Sequence, residues 1–147
     1  MKLEGTNTLP APIETVWKTI NDPEALRRCT PGLDELKEFE PDRYEATLRI
    51  GIAAVKGTYK GTLAITDKQA PSHCKLVLQG SGNSGFVRGE GVIDLEPQGD
   101  VTLVKWAGDL QVGGLIAGVG QRMLMGVGKM LIGQFFKCLE QQLGQGV

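Results

Sequence analysis

The segment GGLIAGVGQRMLMGVGKMLIGQFFKCLEQQL, residues 113–143, decides the fold. Apolar side chains recur in it at spacings of three and four, which predicts one long amphipathic helix. Each interior glycine costs a helix about 0.5–1 kcal/mol relative to alanine, so glycines here indicate close backbone contacts or empty space beside the helix. The segment contains seven of them: Gly113, Gly114, Gly118, Gly120, Gly126, Gly128 and Gly133.

The residues on one face of this predicted helix are small in the first half and large in the second. Leu131 and Phe135 would fill one end of the sheet, whereas Ala117 and Gly120 would leave space at the other. We therefore interpret the helix as one wall of an apolar ligand cavity. The alternative is that the glycines only allow the helix to pack closely on the sheet. The full stripe is Ala117, Gly120, Leu124, Val127, Leu131, Phe135 and Cys138.

The opposite face of the helix carries charges beside further apolar residues. Arg122 and Lys129 lie on it, and it is flanked by Met125, Met130, Ile132 and Phe136. Exposed apolar surface next to cations indicates contact with a membrane surface or with a protein. Cover by other helices or by a second copy of the chain is the alternative. Crossing the membrane is disfavoured, because both charges would enter the bilayer.

Upstream of the helix, apolar and polar residues alternate, which is typical of strands with one buried face. This alternation begins near Asp34 and continues to Val112. Short turns join the segments, so the strands are expected to be antiparallel. Before them, Leu3–Leu9 predicts a first strand, and residues 13–20 and 23–28 predict two short helices.

This order of elements predicts the α+β class. The expected architecture is a helix grip, in which a curved antiparallel sheet of about seven strands wraps around the long C-terminal helix. Two short helices follow the first strand. Residues 1–143 would form a single domain, and residues 144–147 a short tail.

Composition excludes several classes of protein. The chain has 147 residues, 16 basic against 17 acidic, and no basic block, so nucleic acid is not an expected partner. The three widely spaced cysteines form no C-x-x-C pair, which argues against a disulfide framework and against a zinc site. Because the N-terminus lacks the apolar run of a signal peptide, we expect a cytoplasmic protein.

Motifs for catalysis and cofactor binding are weak. Gly80–Gly85 reads G-x-G-x-x-G, but a strand pattern follows it instead of a helix, so we interpret it as a flexible hairpin loop. His73, the only histidine, lies in a turn without a partner set for a triad or a metal. Cys29 has no evident base beside it, and Cys138 is interpreted as core packing. We therefore predict no catalytic residue, no metal and no cofactor.

Several short pieces, in order along nearly the whole chain, carry a family resemblance. They are Gly5 with Pro10-Ala11-Pro12, Val16-Trp17, Asn21-Asp22-Pro23, Cys29-Thr30-Pro31-Gly32, Tyr44-Glu45-Ala46, Gly51-Ile52, Val55-Lys56-Gly57-Thr58-Tyr59-Lys60-Gly61, Gly85-Phe86, Leu95-Glu96-Pro97, Val112-Gly113-Gly114 and Phe135-Phe136. With these pieces the chain resembles the CoxG family of carbon monoxide dehydrogenase subunits, within the START-like (SRPBCC) helix-grip superfamily.

The resemblance implies a non-catalytic accessory protein of molybdenum hydroxylases of the carbon monoxide dehydrogenase type. Family members are thought to help bring the enzyme to the membrane and to handle quinone. Some continue into a tail that reaches the membrane. Here only residues 144–147 follow the domain, so we expect transient docking by the domain itself, at the inner face of the membrane.

The expected ligand is a quinone or another isoprenoid or acyl lipid, with hydroxyls from Tyr44 and Tyr59 as candidate polar contacts. The cavity mouth would lie near residues 51–54, 80–86 and 113–115. Alternatives are a START-like cyclase or hydratase, which needs inward ionisable groups, or a docking domain without a small ligand; a homodimer is a candidate assembly. The predicted lining is Leu48, Ile50, Tyr59, Leu63, Leu78, Phe86, Gly91, Trp106, Leu110, Ala117, Gly120, Leu124 and Val127.

Overall fold

The computed structural model describes residues 1–52 and 55–145. Its elements, in chain order, are β1 (Lys2–Leu9), α1 (Ile13–Ile20), α2 (Pro23–Cys29), β2 (Leu33–Glu40), β3 (Arg43–Ile50), β4 (Gly57–Gln69), β5 (His73–Gly82), β6 (Gly85–Gln98), β7 (Val101–Gly113), a short 3₁₀ segment (Leu115–Val119) and α3 (Gln121–Gln145).

All seven strands belong to one antiparallel sheet in the order β1-β7-β6-β5-β4-β3-β2. Consecutive strands from β2 to β7 are neighbours, whereas β1 pairs with β7 at the other edge. The chain therefore crosses from one edge of the sheet to the other through α1 and α2. This arrangement confirms the predicted α+β helix-grip class.

Local sequence explains the two short helices between β1 and β2. Pro12 precedes α1 in an extended conformation, and Ile13, Val16 and Ile20 form its buried face. Asp22 caps α2 by accepting a 3.0 Å hydrogen bond from the Glu24 backbone N–H. A side-chain acceptor at this position satisfies one of the free amides at a helix start.

The C-terminal segment differs from the single helix predicted over residues 113–143. β7 continues to Gly113, and α3 begins only at Gln121. Gly114 (φ 80°) and Gly120 (φ 95°) lie on either side of the 3₁₀ segment. Glycine adopts these positive φ values without a side-chain penalty, so the two residues break the helix. Among the described residues, no helix is both long and apolar enough to cross a bilayer.

The core face of α3 is Phe136, Leu139 and Leu143, all buried. Phe136 was predicted to lie on the outer side, and this was wrong. Ala117 and Gly120, predicted on the core face, precede α3 and are exposed. Phe135 and Cys138 of the predicted stripe are partly buried and pack against the same core.

The buried side chains form two clusters. The main core joins α1, α2, the sheet and the second half of α3, and in it the ring centroids of Trp106 and Phe136 lie 6.3 Å apart. The second cluster is centred on Val55, Tyr59 and Ile116, at the opposite end of the sheet. The glycine-flanked 3₁₀ segment therefore contributes to packing at one end only.

A disulfide joins Cys29 at the end of α2 to Cys138 in α3, although the cysteine spacing argued against a disulfide framework and Cys138 was interpreted as core packing. The two cysteines are 109 residues apart in sequence. Arg28 supports the same contact by donating a 3.2 Å hydrogen bond to Gln142 of α3. Sequence spacing was uninformative here because the fold, and not a local motif, brings the two cysteines together.

Loss of this disulfide is expected to destabilise the protein. Cys138→Ser should lower the free energy of unfolding by about 2–4 kcal/mol, because the bond closes a long loop in the unfolded chain. Urea unfolding with and without dithiothreitol measures this. Cys74→Ala, which removes the free cysteine, is the control and should remain sensitive to dithiothreitol. A wild-type protein equally stable in both conditions would contradict the bond.

His73 at the start of β5 lies between two carboxylates. Its Nδ1 is 2.7 Å from Asp94 Oδ1, and its Nε2 is 3.2 Å from Asp67 Oδ2. The hydrogen bond with Asp94, and then Asp67, raises the pKa of His73 above its usual value. The residue thus links β4, β5 and β6 at the end of the sheet away from the second cluster.

The contribution of His73 to stability should depend on pH. Because its pKa is higher in the folded than in the unfolded protein, its stabilising effect is complete below about pH 6.5 and is lost as pH rises through the folded value. Urea unfolding of wild type and His73→Gln should therefore diverge at pH 5.5 and converge at pH 8.5. An unchanged difference across that range, or a lowered His73 pKa by NMR, would refute the assignment.

Candidate functional site

The concave face of the sheet, which α3 covers, carries almost only apolar residues and glycines. Alternation along the strands places the ionisable side chains Tyr44, Tyr59 and Cys74 on it. Glu38, which pairs with Tyr44 in the register of β2 and β3, shares this orientation on the edge strand and is exposed. Burial raises the pKa of the Cys74 thiol to about 11. Burial, with the nearby charge of Glu38, raises the pKa of Tyr44 to about 12. Tyr44 and Cys74 are therefore neutral near pH 7.

Two polar groups on this face are already engaged. The Tyr59 hydroxyl donates a 2.7 Å hydrogen bond to the Val55 carbonyl oxygen, so it is not the free donor expected from the sequence. Trp106 Nε1 donates to Asn7 Oδ1 at 2.9 Å. A guest on this face would consequently meet hydrocarbon and aromatic surface.

The glycines of the concave face and of α3 fall into two groups. Gly5 and Gly89 lie directly beneath the side chains of Trp106 and Leu110, so their missing side chains make room for neighbours and not for a ligand. Gly128 does the same in α3, since a Cβ there would lie 2.9 Å from Leu3 Cδ1. By contrast, a Cβ at Gly126 would meet nothing within 4 Å. The sequence left two explanations for the glycines, close packing and open space beside the helix. Both occur, at different glycines.

The predicted lining residues are only partly assembled. Ala117 and Gly120 are exposed outside α3, and Phe86 shares the orientation of Arg88 on the other face of β6, with its ring 6.0 Å from the Arg88 guanidinium carbon. Tyr59 is buried in the second cluster. The remaining residues are all partly accessible to solvent. Those on the strand face toward α3 are Leu48, Ile50, Leu63, Leu78, Gly91, Trp106 and Leu110, and those on α3 itself are Leu124 and Val127.

The end of the sheet beside the second cluster is where three loops meet. The Ser84 carbonyl oxygen accepts a 2.8 Å hydrogen bond from the Ile116 N–H, and the Ser84 hydroxyl donates to the Lys56 carbonyl oxygen at 3.2 Å. The β5–β6 hairpin therefore holds the other two loops at this end of the sheet. Residues 53 and 54, part of the predicted mouth, lie outside the described residues.

A groove runs along the flank of α3 at this end. It is an open groove of about 600 Å³, lined by Ile52, Val119, Arg122, Met123, Gly126, Val127 and Met130. Only Val127 belongs to the lining predicted from sequence. The groove was not predicted from the sequence, because the loop that carries Ile52 reaches α3 only in the folded chain. The only indication of the groove in the sequence was the spacing of Met123, Gly126 and Met130. These residues are three and four positions apart, which places them on one face of the helix.

Unpaired cations and exposed apolar side chains occur together at this end. Lys56, Arg88 and Arg122 have no carboxylate within 4.0 Å in the described part of the chain. Leu115 is 80% exposed and Phe86 43%. The sequence contains no acidic residue between Asp109 and Glu140, so these cations have few possible partners nearby.

A seven-stranded antiparallel sheet closed over a C-terminal helix defines the START-like, helix-grip class. A conserved protein from Geobacillus kaustophilus has this structure with a TM-score of 0.96 and 41% identity, over 99% of this chain and 96% of that chain. A START superfamily protein from Mycobacterium smegmatis follows with a TM-score of 0.81 and 18% identity, over 99% of both chains. No curated protein matches the sequence.

Within this class the chain belongs to the CoxG family of carbon monoxide dehydrogenase subunits, whose model matches residues 5–144. The resemblance drawn from the short sequence pieces is thereby confirmed over nearly the whole chain.

Proposed function

We propose that this protein is a non-catalytic carrier for one apolar molecule, a quinone or a similar isoprenoid or acyl lipid. The observation that carries the proposal is the concave face, where inward side chains such as Leu48, Leu78 and Leu110 remain partly accessible beneath α3. Apolar surface left accessible gains roughly 25 cal/mol per Å² when a guest covers it, before the costs of ordering the guest.

The scarcity of inward charge among the described strand residues, where Glu38 faces inward on the edge strand β2, supports a carrier over an enzyme. A START-like cyclase or hydratase needs ionisable groups that face a shared pocket, and general acid–base chemistry near pH 7 needs a pKa near that pH. Tyr44 and Cys74 have raised pKa values instead, to about 12 and about 11. Neither is placed to exchange protons with a substrate at neutral pH.

We infer the partner from the family. The CoxG family is named as a subunit of carbon monoxide dehydrogenase, so an accessory role beside a molybdenum-containing enzyme of that type is the partner we propose. In this arrangement the carrier would move a quinone between the enzyme and the membrane, at the cytoplasmic face.

Ligand binding is testable through Trp106, which faces the same side of the sheet as Leu110. In a Trp17→Phe background, which leaves Trp106 as the only tryptophan, menaquinone should quench fluorescence saturably. Leu124→Trp, whose larger side chain would enter the same space from α3, should prevent saturable binding of a radiolabelled menaquinone analogue. Val77→Trp, on the exposed face of β5, is the matched control and should bind normally.

Two outcomes would contradict the carrier. The first is the absence of both quenching and any lipid in organic extracts of freshly purified protein. The second is copurification of a molybdenum enzyme with a protein that holds no extractable ligand, which would favour a pure docking domain. Equal ligand binding by wild type and Leu124→Trp would show that the ligand does not bind at the concave face.

We propose further that the end carrying Lys56, Arg88 and Leu115 contacts an anionic membrane surface transiently. Cations attract anionic lipids by about 1 kcal/mol each near the surface, and an exposed leucine can enter the interface. Cosedimentation with phosphatidylglycerol vesicles should fall for a Lys56→Gln, Arg88→Gln variant and with rising salt. The control Lys18→Gln, Lys37→Gln should sediment as wild type. Equal sedimentation with uncharged vesicles would refute the contact.

A further inference from the structure

The groove on the flank of α3 is a candidate binding site separate from the concave face. We call the seven lining residues Ile52, Val119, Arg122, Met123, Gly126, Val127 and Met130 the α3 groove. Its volume of about 600 Å³ lies within the roughly 300–1,000 Å³ of small-molecule sites. Ile52, Val119 and Val127 also pack against the second cluster, which gives the groove a supported floor.

The shape and chemistry of the α3 groove suit a long apolar chain. Six of its seven lining residues are apolar or glycine. Arg122 and Met130 are eight residues apart on one helix, which corresponds to about 12 Å along the axis. Met123 and Met130 are 49% and 42% exposed, and unbranched thioether side chains adapt readily to an irregular guest.

One end of the α3 groove carries an uncompensated positive charge. Arg122 has no carboxylate within 4.0 Å in the residues that the structure describes, whereas Arg49 and Lys105 pair with acids at 2.7 Å. Arg122 is also the second residue of α3, where the helix dipole adds partial positive charge. An anionic group is therefore favoured at this end of the groove.

We infer that the α3 groove binds a single-chain amphiphile with an anionic head, a long-chain carboxylate. The carboxylate accepts hydrogen bonds from the Arg122 guanidinium, and the chain extends past Gly126 toward Met130. The uncharged ligand proposed for the concave face would gain nothing from Arg122. The two sites thus differ in the charge of the molecule they select.

Gly126 offers a way to fill the groove without disturbing the fold. Since a Cβ at this position would meet nothing within 4 Å, Gly126→Leu should occupy the groove while improving helix propensity. Gly133 is its matched control: it lies in the same helix, is equally free of neighbours within 4 Å, and is outside the groove. Arg122→Gln removes the charge, and Lys137→Gln is its control on the same helix.

The test uses a fluorescent polyene fatty acid and its methyl ester, each below its micelle concentration. The wild type should bind the acid roughly tenfold more tightly than the ester, as a hydrogen bond to a charged group provides. Arg122→Gln should remove this preference, and Gly126→Leu should abolish binding of both probes. Gly133→Leu and Lys137→Gln should bind as wild type. Far-UV circular dichroism of each variant checks the fold.

Three results would overturn the inference: equal affinity for acid and ester in the wild type, no effect of Gly126→Leu, or interaction with anionic vesicles but not with the dispersed acid. The last would assign the groove to a membrane surface. Quenching of Trp106 by menaquinone should be unchanged in Arg122→Gln and Gly126→Leu. Failure at the groove is therefore distinguishable from failure at the concave face.

Discussion

The structure depends on how one half of α3 is held against the sheet. Phe136, Leu139 and Leu143 are buried in the main core, and the disulfide at Cys138 ties the same half to α2. In the first half, from residue 121 to 131, every side chain is described and none is buried. Because the helix is anchored at one end, the sheet beneath its other end stays partly uncovered.

This asymmetry places both candidate sites at the same end of the molecule. The concave face is accessible where α3 is least buried, and the α3 groove lies on the outside of the same turns. The Ser84 contacts with Ile116 and Lys56 hold the surrounding loops together. We call the end with the main core the closed end and the end beside the second cluster, where α3 is less buried, the open end. A protein of this kind can bind and release a ligand at its open end without disturbing its main core.

The pairing of charged side chains also differs between the two ends of the molecule. Acidic residues on the turns of the closed end are largely paired, as in Lys68–Asp42 and the His73 contacts. The open end carries cations without partners among the described residues. The net charge of the chain is only −1. One end of the molecule is nevertheless suited to anions, and this could not be read from the overall composition.

Much of the fold was predictable because it rests on local alternation. The inward phase of Tyr44, Tyr59 and Trp106 follows from period two alone, and the turn residues indicated antiparallel order. The candidate site was less predictable. Whether a glycine makes room for a ligand or for a neighbour depends on the side chain across the sheet, as with Gly5 beneath Trp106. That partner lies on the last strand, far from Gly5 in sequence.

The sequence by itself determined the class of fold, the apolar character of the face toward α3 and the family. Each of these follows from the periodicity of apolar residues or from short motifs. Only the tertiary structure decided where α3 begins, which of its faces is buried, that Cys29 meets Cys138, and that Ile52 and Val119 complete a groove beside Arg122. These features arise from contacts between distant segments, and a local pattern carries no information about which distant segments will meet.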